Sequence, residues 1–187
     1  MSAGSPRSSR LRSEDMVMRH KTVSLIFVVL LGAGMAREAG GVPPPAAGSE
    51  EAVAIVVNQS NSVDNFSFDE LKKVFLGERS HWPNGRRITL VMLNPSQPER
   101  KLILREVYAM SEKDLNSHFI QGVFTGAVLV SPKTFGSTTE LKKFVFNVPG
   151  AIGYVRAADV DASVKVVRID GRLPDDKEYK LRMQAKR

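Results

Sequence analysis

The sequence contains no cysteine, a single tryptophan, three histidines and three tyrosines in 187 residues. Without cysteine there is no disulfide framework, no thiolate nucleophile and no cysteine-ligated metal. The acylated cysteine of a bacterial lipoprotein is excluded as well. The histidines are scattered: His20 lies near the N-terminus, His81 in a loop segment and His118 in a helical segment. None has a histidine, aspartate or glutamate beside it at ligand spacing, so no metal site is expected. Long apolar runs are also missing. The longest, Val23 to Leu31, falls short of the roughly 20 residues that span a bilayer comfortably. No phosphate-cradling Gly-x-x-x-x-Gly-Lys loop, dinucleotide fingerprint or nucleophile elbow occurs. A serine–histidine–aspartate set assembled from distant positions stays geometrically open, but most serines are explained as helix caps. The expectation is a non-enzyme without a cofactor.

What is present is globular in composition, with 42% hydrophobic and 25% charged residues, enough for one domain with a packed core. The net charge of +7 is unevenly placed. Residues 1–51 carry six basic and five acidic groups, residues 52–170 carry 15 and 12, and residues 171–187 carry six and three. The core is thus only mildly basic. That argues against nucleic acid as the partner, since such a partner calls for a concentrated basic face with aromatics for stacking. A weaker reading keeps an acidic-surface binder that uses the tail and Arg86–Arg87.

Arg19, His20 and Lys21 precede the apolar run, and Gly32, Ala33, Gly34, Met35 and Ala36 follow it. Basic region, short apolar region and small-residue exit make a secretory signal, which places the mature chain in the periplasm. An uncleaved signal would be the chain's only tie to a membrane. Met1 to Asp15 is rich in serine and arginine, so Met16 or Met18 is the more natural start. Residues 37–51 hold a Pro/Gly-rich linker. The expected organisation is extension and signal at 1–36, linker at 37–51, domain at 52–170 and a charged, loosely held tail at 171–187.

Within the domain, Ala52 to Val57 reads as a buried strand. Ser67 and Glu70 form a capping box that opens a helix from Phe68 to Leu76, stopped by Gly77. Arg87 to Leu93 reads as a second strand. Ser96 with Glu99 is a second capping box, ahead of a helix bearing Leu102, Ile103, Val107 and Tyr108. Ser111 with Asp114 opens a helix to about Gln121, stopped by Gly122, and Ser137 with Glu140 opens another. Ala151 to Val155 and Ser163 to Ile169 are the last strands. Strands and helices in this order predict an α/β layered domain.

One junction invites chemistry. At Asn94 to Glu99 a strand runs into a turn and a helix start, where free N–H groups and the positive dipole end suit anions. A plain cap by Ser96 explains the same residues, and Glu99 competes with an anion for the same donors. Ser137 and Thr138, at another helix start, are a second donor set. Trp82, before Pro83-Asn84-Gly85, is better read as packing a loop than as a ligand platform.

Val56-Val57-Asn58, Leu71-Lys72-Lys73-Val74-Phe75-Leu76-Gly77, Trp82, Gly85, Ile88 and Val91 resemble the phosphate-binding proteins of phosphate ABC transporters. So does Pro149-Gly150-Ala151-Ile152-Gly153-Tyr154, the most specific piece. The resemblance covers about residues 52–156. It implies a fold of the type II periplasmic-binding-protein kind, here a single small lobe with a mixed sheet flanked by helices. It implies phosphate or another oxyanion as ligand, bound by donors at helix starts. Two departures stand out. The family's arginine at the end of the strand is Leu93 here. Its Ser-Gly-Thr anion loop is matched by Ser96-Gln97-Pro98, in which Pro98 removes a donor and Glu99 adds a negative charge. Ser96 is the one family ligand position carried over, with Ser137 and Thr138 beside it. A homodimer or another periplasmic protein would then supply the missing lobe. The alternative is a periplasmic interaction module of the same fold that has lost its ligand.

Overall fold

The computed structural model describes residues 52–183. The expected signal and linker lie outside these residues. No helix among the described residues is long and apolar enough to cross a membrane.

Five apolar residues build the first strand, β1 (Val53–Val57), and all five are buried. A strand buried at every position has both faces covered, and three of its residues are stiff β-branched valines. Asn58, directly after it, is also buried, and its amide donates to the carbonyls of Val145 (2.8 Å) and Phe146 (2.6 Å). It thereby satisfies acceptors that a helix end leaves open. β2 (Asn65–Phe66) leads into α1 (Phe68–Phe75). Here the capping box forms in full. The Ser67 hydroxyl accepts from the Glu70 N–H, and the Glu70 carboxylate accepts from the Ser67 N–H. Leu71, Val74 and Phe75 face inward, and Gly77 at φ 79° ends the helix as expected.

β3 (Thr89–Leu93) runs into α2 (Pro98–Ile103), which continues as a π-helical turn, Leu104–Tyr108, closed by Ala109 in a left-handed conformation. α3 (Glu112–Thr125) starts at the Ser111 cap and passes the expected stop. It ends at Gly126, φ 77°, while Gly122 sits inside the helix. A Cβ at Gly122 would come within 2.6 Å of Val128, so this glycine serves close packing and Gly126 serves termination. β4 (Lys133–Phe135), α4 (Thr138–Asn147), β5 (Ala151–Arg156) and β6 (Lys165–Ile169) complete the domain.

The strands form one mixed sheet in the order β2-β6-β1-β5-β3-β4. β1 is antiparallel to both β5 and β6, while β3 runs parallel to β4 and β5. The carboxyl ends of β3, β4 and β5 therefore meet at one end of the sheet. α4 packs on β1, β3, β4 and β5, and α2 on β3 and β5.

The C-terminal stretch differs from its expectation as well. Residues 171–183 are not loosely held: Tyr179 and Leu181 are buried, the Val53 N–H donates to the Leu181 carbonyl (2.8 Å), and the Tyr179 hydroxyl donates to the Val53 carbonyl (3.0 Å). The charged residues there hid two apolar anchors. Gly150 lies in the turn before β5, and a Cβ there would overlap the Arg87 carbonyl oxygen, so close backbone approach also requires glycine at this position. Trp82 packs its loop as expected, buried against Phe66 with its indole N–H donating to the Gly150 carbonyl (3.0 Å).

Candidate functional site: the carboxyl end of the parallel strands

Two loops leave the sheet side by side. After Leu93, the Asn94 N–H donates to the Phe135 carbonyl (3.0 Å), continuing the β3–β4 ladder by one residue. The Gln97 amide then reaches the Gly136 carbonyl (3.4 Å). These bonds hold the loop bearing Ser96 against the loop bearing Ser137 and Thr138. The structure thus brings together the two donor sets that the sequence offered separately.

Their roles differ. Ser96 is exposed and does not cap α2. The cap position belongs to Gln97, whose side chain makes no capping bond, and Pro98 occupies the first turn. The expected Ser96–Glu99 capping box is absent because Glu99 turns inward instead. The Ser137 hydroxyl does cap α4, accepting from the Glu140 N–H (3.2 Å), and the Glu140 carboxylate accepts from the Gly136 N–H (3.2 Å). Ser137 and Thr138 are half-buried.

A part-exposed cation at this end, missed in the sequence, is Arg156, the last residue of β5. Its side chain is 43% exposed and its Nε donates to a Glu99 carboxylate oxygen; the Glu99 side chain is only 3% exposed. The other Glu99 oxygen is buried with no hydrogen-bond partner. That ion pair holds the Arg156 guanidinium above its ordinary pKa. A signal for Arg156 was available: it ends the strand of the Ala-Ile-Gly-Tyr motif, and parallel pairing with β3 would bring it to the same end of the sheet as Asn94. The parallel pairing itself was not legible.

Arg100, next to Glu99, is a different case. It is buried, grips Glu112 through Nε (2.6 Å) and Nη2 (2.8 Å), and its Nη1 donates to the Leu93 carbonyl (3.4 Å). It ties α2 to α3. Leu93 is itself buried, and its N–H donates to the Tyr154 hydroxyl (3.2 Å). Burial pushes the Tyr154 pKa up to about 12.

Elsewhere, a cavity of about 200 Å³ lies near the other end of β3, among Ile88, Thr89, Phe119 and Val128. It holds none of Ser96, Ser137 or Thr138. Among the described residues no group of histidine, aspartate and glutamate is placed to hold a metal ion.

No family model matches the chain. A curated relative, the phosphate-binding protein PstS of Bacillus subtilis, is 30% identical over 130 residues, which are 67% of this chain and 38% of that protein. Three solved structures share the fold. A putative phosphate ABC transporter substrate-binding protein with bound phosphate from Clostridium perfringens gives a TM-score of 0.57 at 19% identity, over 70% of this chain and 51% of that one. PstS from Borrelia burgdorferi gives 0.55 at 15% identity, over 70% and 53%. An ABC-type phosphate transport receptor from Vibrio cholerae gives 0.51 at 22% identity, over 66% and 48%. The chain spans 38% of the length of the curated relative and about half the length of these structures. Over the matched part the chain is similar to a phosphate-binding protein in sequence, and the solved structures share its mixed sheet with flanking helices.

Proposed function

We propose that this domain is an exported, non-catalytic binding lobe that takes a small tetrahedral oxyanion, phosphate first, at the carboxyl ends of β3, β4 and β5. The observation that carries the reading is that the loop bearing Ser96 is held against the loop bearing Ser137 and Thr138 by the Gln97–Gly136 bond, at the same end of the sheet where β5 ends in the part-exposed Arg156. Crevices at the carboxyl ends of strands are where α/β sheets bind ligands. The Ser96 hydroxyl supplies a donor that no cap consumes. Thr138, in the first turn of α4, adds a second hydroxyl near a positive helix end. A second copy of the chain, or another periplasmic protein, would close over the site.

The test is equilibrium dialysis of labelled phosphate against the full chain at low salt, with sulfate as competitor. Saturable retention that falls in Ser96→Ala and in Arg156→Gln is expected. Retention unchanged in both variants would remove the site from this end of the sheet. Export is checked separately by sequencing the N-terminus of protein recovered from the periplasm, with cleavage after Ala36 expected.

A second reading has its own support. Glu99 already neutralises Arg156, as it would in an interaction module of this fold that no longer binds a ligand. In that case phosphate is not retained, while a periplasmic protein co-purifies with the intact chain.

A further inference from the structure

We infer that Glu99 is a built-in counter-anion which occupies the guanidinium of Arg156 and sets how weakly this lobe holds an oxyanion. The inference rests on the reading of this rim as an oxyanion site. Its ground is a mismatch in how the pair is solvated. Glu99 is the buried member, 3% exposed, while Arg156 is 43% exposed. A pair formed to stabilise the fold would satisfy the buried partner first. Instead one carboxylate oxygen meets only the Arg156 Nε, and the other is enclosed without any donor. The fold thus bears a desolvated, half-satisfied carboxylate beside the one part-exposed cation that β5 brings to this end of the sheet. Arg100, the neighbouring cation, does not relieve it, because Arg100 is committed to Glu112 and the Leu93 carbonyl.

An incoming oxyanion therefore meets a guanidinium whose charge is already matched. It either binds the outer nitrogens of Arg156 against the field of Glu99, or displaces the carboxylate into a site with no other donor for it. Both routes weaken binding. Removing the negative charge while keeping the shape releases Arg156 without emptying the space. Gln at position 99 can still accept from the Arg156 Nε, and Arg156 can rehydrate because it reaches solvent.

The experiment is calorimetric titration of inorganic phosphate into the full chain and its Glu99→Gln, Glu99→Ala, Arg156→Gln and Glu99→Gln/Arg156→Gln forms at low salt, each checked for cooperative melting. A charge-assisted hydrogen bond to phosphate, made without a competing carboxylate, corresponds to a rise in affinity of roughly tenfold or more. The expected result is that rise in Glu99→Gln, a rise of the same sign in Glu99→Ala, and its loss in the double variant. Phosphate bound equally by the wild-type protein and both Glu99 variants would overturn the inference and leave the oxyanion site standing. Phosphate bound by none of the folded forms would overturn both.

Discussion

Two glycines beside and within β5 are fixed by close approach of neighbouring atoms. At Gly150 an added methyl meets the Arg87 carbonyl oxygen, and a backbone atom cannot swing aside. At Gly153 the nearest atoms are side-chain methyls of Val91 (2.6 Å) and Leu141 (3.1 Å), although the Val91 carbonyl is also close at 3.2 Å. Gly150→Ala is therefore expected to cost the upper part of the roughly 1–3 kcal/mol typical of overpacking, and Gly153→Ala the lower part. Urea unfolding that ranks them the other way would refute the distinction. The three tyrosines give a second residue-scale prediction. Burial raises the pKa of Tyr108, Tyr154 and Tyr179 alike, that of Tyr154 to about 12. For Tyr154 the unfolded chain ionises near 10.0, so folding holds the neutral form. Its contribution is complete below that pH and is lost as pH rises towards 12. Tyrosinate absorbance should stay low past pH 10 and then rise together with loss of secondary structure. Early ionisation in a folded protein would contradict the burial.

At the scale of elements, the serine starts of α1, α3 and α4 were legible because a hydroxyl and an acid three residues on satisfy open N–H groups in a fixed spacing. The same spacing at Ser96 and Glu99 misled. Whether a glutamate reaches back to the cap or turns into the core depends on a partner, here Arg156, 57 positions away. Local grammar carries no information about that partner. The consequence is measurable. Ser137→Ala removes a working cap and is expected to cost about 1 kcal/mol. Ser96→Ala removes an exposed hydroxyl that caps nothing, so stability should stay within about 0.5 kcal/mol while phosphate retention falls. Equal destabilisation by both would restore the capping role to Ser96. The short strands β2 and β4 went unread for a related reason. With two and three residues, each pairs only with a neighbour distant in sequence and shows little alternation of its own.

For the whole molecule, the sequence made the α/β class, the core run of β1 and the family resemblance readable, because each is written in contiguous residues. The site was only half readable. Ser96, Ser137 and Thr138 are local features of loops, whereas Arg156 comes to the same end of the sheet only through the parallel register of β3 with β5. The C-terminal stretch shows the limit of composition. Its charge suggested a free tail, yet Leu181 is fully buried and a backbone hydrogen bond from Val53 attaches it to β1. Leu181→Ala is expected to cost roughly 2–5 kcal/mol, the range for a large apolar side chain removed from a core. A chain ended at Asp170 should melt far below the intact protein, and full stability of that form would show the attachment to be incidental.

The position of a bound oxyanion is the decisive property. The direct measurement is an NMR titration of inorganic phosphate into the isotopically labelled full chain, following backbone amides and the Arg156 Nε–H. Shifts that saturate together and cluster at 94–97, 136–139 and Arg156 are expected. Shifts confined to the Arg79–Arg87 end of the sheet, or none in either the wild-type or the Glu99→Gln protein, would contradict that expectation.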